Sequence, residues 1–396
     1  MQSTLLRYYI YALINGLQFG WTSWLAFVVA RGGNPGWAES AYHLAILLGE
    51  VPTGVLADML GRRRSMIIGL LIGACSGFGY LLIDDTLTAC LVMALSGLGG
   101  TFLSGADTAL LYETAHGIGG AEYARRALAR ASAIQMAALA AAPLIAGWLY
   151  EQHQTAPFLS RAALSLLAVA VVRGMAERRA APKEGAAGRD IWCHTRTALR
   201  YLRNHPPVLL MIGFSWAYNA VGAMTGQFGQ VYFPAIGLSM VGAGIVFSLT
   251  RLVTSLTGWI AERLSRSTAM AWLRFAPLAQ AALYVAMGWS RSWTGAAAFI
   301  VGDGLDGLIS PTLNARINEA IPSEQRATIL SFQGMGFSLL VSAAFPAAAY
   351  LEPVQLIYLA TGWVAVAVAL LWVRWCSPAA EGLPRPGDPP APIRIP

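Results

Sequence analysis

The sequence predicts an all-α membrane protein with twelve transmembrane helices in two pseudo-symmetric six-helix bundles. Its composition, a series of long apolar runs and an internal repeat carry that prediction. Over 396 residues, 56% are hydrophobic and 12% charged, and the mean hydropathy is +0.54. A soluble core of that length cannot bury so much apolar surface, whereas a bilayer accepts it directly.

The runs Leu5–Ala30, Glu39–Leu60 and Ser65–Ile83 are each long enough to span the hydrocarbon layer, which takes roughly 20 helical residues. Further spans are expected at Thr86–Thr114, Ala127–Tyr150 and Ala156–Met175, closing the first six. The second six fall at Val208–Ala235, Met240–Glu262, Thr268–Ser290, Thr294–Ile317, Ala327–Tyr350 and Val354–Trp375. Continuous apolar runs exclude the short alternating strands of a barrel. The amino-terminal run has no small-residue cleavage signature and reads as a retained first helix.

Net charge +7 and a pI near 9.4 raise the question of nucleic acid. The basic residues fall instead in alternate turns: Arg62, Arg63, Arg64, Arg125, Arg126, Arg178, Arg179, Arg263, Arg266 and Arg326 on one side, Arg31 and Arg291 on the other. That asymmetry follows the positive-inside rule and places both termini in the cytoplasm. Scattered over short loops, these residues form no nucleic-acid footprint. Cys75, Cys90, Cys193 and Cys376 lack CxxC spacing, so neither a disulfide nor a metal site is expected, and no cofactor is implied.

The longest polar stretch, 177–207, divides the chain into an amino-terminal bundle (1–176) and a carboxy-terminal bundle (208–376). Ile191, Thr195, Ala198 and Leu202 share a helical face within it, which suggests a basic amphipathic surface helix, although a plain tether is an equal alternative. The proline-rich tail 377–396 is expected to be disordered. The two halves repeat. Gly54, Asp58, Arg62 and Asn15 correspond to Gly258, Glu262, Arg266 and Asn219, each 204 positions on, and Pro143 corresponds to Pro346. Glu113 in LSGADTALLYE likewise matches Glu319. An even number of spans separates the copies, so both bundles have the same orientation.

The stretch GVLADMLGRR, with Gly54, Asp58, Gly61, Arg62 and Arg63, resembles the G-x3-D-x2-G-R-R signature of the major facilitator superfamily. Its surroundings, EVPTG and SGAD with Glu50 and Asp107, resemble the branch of drug and metabolite exporters. Met59 replaces the usual basic residue, and the second copy has Glu262 for Asp and Ser265 for Gly. Exporters of the superfamily often carry GPxxGG in the fifth helix; APLIAG keeps its Pro143 and Gly147.

A carboxylate at a helix C-terminus opposes the macrodipole and calls for a partner such as another helix N-terminus. Asp58 is therefore expected to meet the eleventh helix near Ser323 and Arg326, and Glu262 the fifth near Arg125 and Arg126. Gly54 would permit the close approach. These residues, with Glu50, Asp107 and Arg266, form an expected cytoplasmic gate; the other reading is that the arginines serve topology alone.

Tyr11, Asn15, Gln18 and Thr22 share one face of the first helix, and Ser215, Asn219, Gly226 and Gln230 one face of the seventh. They are expected to line a passage between the bundles, ordinary interhelical hydrogen bonding being the alternative. Arg251 in the eighth helix and Asp303 and Asp306 in the tenth lie at depth. Each charge costs about 2.5–3.5 kcal/mol at a helix centre, so Arg251 is expected to pair with one Asp, leaving the other to carry a proton. A purely structural ion pair is the alternative. Arg161, Arg274 and Arg316 are expected to snorkel, and His43 reads more as a packed, hydrogen-bonded residue than as a proton relay.

The resemblance implies a monomeric secondary transporter in a bilayer, in a bacterial inner membrane, exporting a small amphipathic or anionic compound against protons. A proton-coupled importer is the nearest rival. No P-loop occurs, and the five histidines are too dispersed for an intramembrane enzyme, while a non-transporting receptor is a further alternative.

Overall fold

The computed structural model describes residues 2–177, 196, 199–322 and 325–379; the side chains of Asp58, Ala327 and 376–379 lie outside that description. The expected linker helix lies mostly outside the described residues, and the expected disordered tail almost wholly so.

The described residues form twelve membrane-spanning helices and no strand. We label them α1 (Gln2–Ala30), α2 (Pro35–Leu60), α3 (Arg62–Leu82), α4 (86–118), α5 (121–152) and α6 (Ala156–Arg173). The second set is α7 (Pro206–Ala235), α8 (Met240–Ala261), α9 (Arg266–Trp289), α10 (293–320), α11 (Arg326–Ala348) and α12 (Val354–Ala379). All but α9 and α10 fall in stretches long and apolar enough to span on that basis alone. In α9, Arg274 and Gln280 dilute the apolar run, and in α10 Asp303 and Asp306 do.

Local chemistry fixes where these helices begin. Asn34 caps α2 by accepting from Gly36 N and Trp37 N, with Pro35 in the first turn, where a missing N–H costs nothing. Asp85 and Thr88 form a capping box at α4. The Thr88 backbone N–H, then its hydroxyl, hold the exposed Asp85 carboxyl below its ordinary range. Ser239, Ser265 and Ser292 cap α8, α9 and α10.

Three helices break within the membrane. The first stops at Gly16, turns through Phe19–Thr22 and restarts at Trp24. The fourth breaks at Gly105 (φ +74°) and restarts at Ala106. The tenth breaks at Leu305 and restarts at Asp306. Each break frees backbone groups that must find other partners.

We call the end carrying Arg62–Arg64 and Arg266 the basic face and the other the far face. The largest apolar cluster crosses between bundles near the far face, joining Trp24, Phe27, Val28 and Phe158 to Phe228, Phe233, Phe299 and Phe345. Toward the basic face each bundle has its own cluster instead, one around Leu110 and Met66, the other around Ile309 and Phe214. The bundles therefore share a core at one end and separate at the other. Outside, Leu48, Leu91, Leu252 and Leu371 point outward, as lipid-facing residues do, and Trp289, Trp293 and Tyr350 form an aromatic belt at the far face.

Candidate functional site

The seam at the far face is made by close backbone approach. A Cβ on Gly36 would sit 2.5 Å from Phe345 O, drawing α2 onto α11. A Cβ on Gly147 would lie 2.3 Å from Met240 O, and one on Gly244 would lie 2.4 Å from Pro143 O. The fifth-helix residues Pro143 and Gly147 thus form the contact between α5 and α8. Glu151 accepts from Val241 N at 2.8 Å just beyond.

Gln230 closes the same seam. The restart of α1 leaves Leu25 N without an intrahelical partner, and Gln230 Oε1 accepts from it at 2.8 Å. Its Nε2 donates to Trp21 O at 3.1 Å and to Gln227 Oε1 at 2.8 Å. Gln227 in turn accepts from Trp24 Nε1 at 3.2 Å. Sequence spacing put Gln230 on the face of α7 that meets α1, but its buried side chain satisfies backbone rather than facing open water. Every hydrogen bond between the bundles among the described residues lies toward this far end.

Below the seam lies a cavity of about 570 Å³ lined by both bundles. Gln18, Trp21, Glu50 and Pro143 contribute from one side, and Asn219, Arg251, Asp303 and Asp306 from the other. Arg251 forms no ion pair with either aspartate among the described residues. The carboxylates are satisfied by hydroxyls instead: Asp303 accepts from Tyr284 at 2.5 Å, and Asp306 from Tyr218 at 2.9 Å and Ser310 at 2.5 Å. The expected Arg–Asp pair is therefore not formed, and Arg251 is exposed and lines the cavity.

The break in α10 explains this placement. Carbonyls freed at Asp303 and Gly304 accept from Thr254 at 3.2 Å and Thr257 at 2.5 Å of α8. A Cβ on Gly307 would meet Thr254 O at 2.1 Å, so glycine lets α8 lie against the break. Asp306 falls in the first turn of the restarted helix, where the dipole favours a negative charge. The glycines of GDGLDG were the available signal for the break.

The amino-terminal bundle repeats the arrangement. Asp107 lies in the first turn after the break in α4 and accepts from Tyr11 at 3.4 Å, as Asp306 accepts from Tyr218. Asp107 is thus inside the bundle rather than at the seam between bundles. It shares a chamber of about 330 Å³ with Asn15 and Arg161, while Gln18 lines both this chamber and the central cavity. Arg161 does not snorkel: it turns inward, donating to Asn15 Oδ1 at 3.3 Å and Ile14 O at 3.4 Å. Asn15 therefore faces this chamber, and Tyr11 is buried within the bundle against Asp107, rather than lining the passage between bundles.

At the basic face the expected contact of Glu262 with Arg125 and Arg126 is not formed among the described residues. Gly54 has nothing within 4 Å of a notional Cβ. Arg125 and Arg126 both bind Glu122 at 2.9 Å, their hydrogen bonds pulling its carboxyl down to about 2, and Glu262 is exposed without an ion pair among the described residues. Arg266 and Arg316 bind Glu319 at 3.4 and 3.2 Å, and Arg326 reaches its own turn at Ile321 O. The separation of the two basic-end cores accounts for these corrections. The expected contacts of Asp58 with Ser323 and Arg326 lie outside the described residues. Sequence reading missed Glu177, which accepts from Arg62 N at 2.5 Å and Arg63 N at 3.4 Å and so caps α3. Gly61 (φ +95°) makes the turn before it.

Residues 8–346 match the family model described as Major Facilitator Superfamily. No curated protein matches the sequence. Among solved structures, the nucleoside transporter NupG is 16% identical with a TM-score of 0.76, over 94% of this chain and 99% of that one. A bacterial homolog of the human lysosomal transporter Spinster is 14% identical with a TM-score of 0.71, over 97% and 98%. A D-xylose–proton symporter is 12% identical with a TM-score of 0.69, over 93% and 96%. At such identities the likeness concerns the fold.

Proposed function

The chain belongs to the major facilitator superfamily, and on that premise we propose that it is a monomeric secondary active transporter exporting a small amphipathic or anionic organic compound in exchange for protons. The family and its structural neighbours point to transport rather than catalysis. The observation that carries the reading is the cavity between the bundles, sealed toward one face and lined by an accessible arginine and two aspartates. Its volume, about 570 Å³, suits a small molecule.

In this reading Arg251 attracts the anionic group of the cargo and Asp303 or Asp306 carries the proton. Tyr284 and Tyr218 hold the carboxylates in place by donating to them, and a protonated carboxyl can still keep one such bond. Asn219 and Gln18 supply neutral contacts, and Gln230 holds the exit shut. The positive-inside rule supports a cytoplasmic basic face, in a bacterial inner membrane with both termini inside, and hence a cavity open to the cytoplasm. Asp58, Glu262, Arg126 and Arg326 would then meet across the bundles in the opposite state, with Gly54 at the approach. The fifth-helix Pro143 and Gly147 support export over import.

Thermal stabilisation across dyes, antibiotics, siderophores, amino acids and sugars identifies a ligand, since binding raises stability by RT ln(1 + [L]/Kd). That ligand is then loaded into oriented proteoliposomes under an imposed pH gradient. Export reads as ligand leaving the basic-face compartment while protons enter it. Ligand movement with no accompanying proton flux would overturn the coupling, and uptake in the other direction would favour the importer.

A further inference from the structure

Helix α2 carries two titratable side chains at the far-face seam that the mechanism above does not use. Glu39 is 1% exposed, and its Oε1 lies 3.5 Å from His43 Nε2, one turn on. Its Oε2 is buried without a hydrogen-bond partner. His43 reaches across the seam: its Nδ1 is 3.4 Å from Ser338 Oγ of α11, and its ring packs edge-on between Tyr42 and Phe337, with centroids 5.2 and 5.5 Å away. Immediately above, Ser40 donates to Ser342 O at 2.7 Å. Both Glu39 and His43 line the central cavity. The pair therefore touches the cavity on one side and the seal on the other.

Among the described residues its surroundings offer no compensating charge. Among those residues, Tyr42 of α2 and Tyr80 near the end of α3 are the titratable groups near Glu39. The α11 surface brings Ser338 and Phe337, and α4 has no charged residue between Thr86 and Leu103. The sealed pair is electrically neutral only when it holds one proton, either as carboxylate and imidazolium or as carboxyl and imidazole. Removing that proton leaves a buried anion, and adding a second leaves a buried cation; each is costly out of water.

We propose that Glu39 and His43 form a proton-binding site, loaded from the far face, that must hold one proton for α2 and α11 to seal. Parting the helices hydrates both groups. A water-exposed Glu and His together hold less than one proton above about pH 7. The sealed conformation then binds more protons than the parted one, so raising the pH favours parting, and acid at the far face drives that end shut. For an exporter, this resets the seam after cargo has left. The inference rests on the proton-coupled reading but not on which acid of α10 takes part.

The test is a spin-label distance across the far face, between Asp84→Cys and Glu352→Cys, in a background otherwise free of cysteine. It is read between about pH 6 and about pH 9, in the parent and with Gly147→Ala added to raise the parted population. The parted-to-sealed ratio should rise with pH above about 7, by up to tenfold per unit for one proton. Glu39→Gln should flatten that rise; His43→Gln, which leaves a buried carboxyl that is neutral only when protonated, should keep it but move its onset below about pH 6, and Asp303→Asn retains it. Ser338→Ala, which removes only a contact, should change the ratio but not its pH slope. A slope preserved in Glu39→Gln, an onset unmoved in His43→Gln, or a slope absent in the parent and in Gly147→Ala alike, overturns the proposal. A slope lost in Asp303→Asn alone also overturns it, while leaving the coupling assigned to α10 intact.

Discussion

The contact between α5 and α8 gives the sharpest prediction. In Gly147→Ala the new methyl would stand 2.3 Å from Met240 O, against an ordinary carbon-to-oxygen contact of about 3.3 Å. Its obstacles are Met240 O and C and the Val241 Cα, all backbone, so no flexible side chain can swing away. The helices must part by about 1 Å, and overpacking of this kind costs about 1–3 kcal/mol. That cost falls on the sealed conformation alone, so the equilibrium shifts by roughly 5- to 150-fold toward the state open at the far face. Ser342→Cys, next to the α2–α11 contact in a cysteine-free background, reports the shift through its reaction with an impermeant maleimide applied from the far side. The labelling rate should rise by that factor while the protein stays folded and monodisperse. Gly54→Ala, which meets nothing within 4 Å in this conformation, should leave the rate unchanged or lower it. An unchanged rate in Gly147→Ala would refute the claim that this contact seals the far end.

Three further outcomes follow from the site. Gln230→Ala strands the buried Leu25 N–H and Trp21 carbonyl; at about 1–3 kcal/mol for each unsatisfied group it should accelerate the same labelling and lower the melting temperature. Asp303→Asn should abolish ligand-dependent proton movement in proteoliposomes while preserving binding in a thermal-shift assay; normal coupling would move the proton site elsewhere. Glu262→Cys with Arg126→Cys should cross-link only when the far face is held open, and cross-linking in the far-sealed state would contradict the proposed exchange of contacts at the basic face.

The twelve spans and their pairing were legible because each apolar run is long enough to cross a bilayer, and because Gly54, Asp58 and Arg62 recur at one offset. The breaks in α1, α4 and α10 were not. Gly105 and the GDGLDG run lie inside otherwise continuous apolar segments, and glycine there is compatible with helix, kink or close packing. The partners of the buried charges were also hidden. Charge balance pointed Arg251 at an aspartate, but the carboxylates had cheaper partners in Tyr218 and Tyr284, which periodicity alone reads as generic aromatics. Arg161 sits near a span end by sequence, and only the packing of α6 on α1 turns it toward Asn15. Gln230 was found on the correct face of α7, yet whether that face meets water or a neighbouring backbone depends on the break in α1.

The central claim is that the bundles rock about a cavity closed at one face at a time. Distances at both faces, measured on the same preparations with labels at Arg64→Cys and Ser267→Cys for the basic face and at Asp84→Cys and Glu352→Cys for the far face, test it most directly. Every perturbation that lengthens one distance should shorten the other, Gly147→Ala included. Two faces that open together, or that move independently, would contradict it.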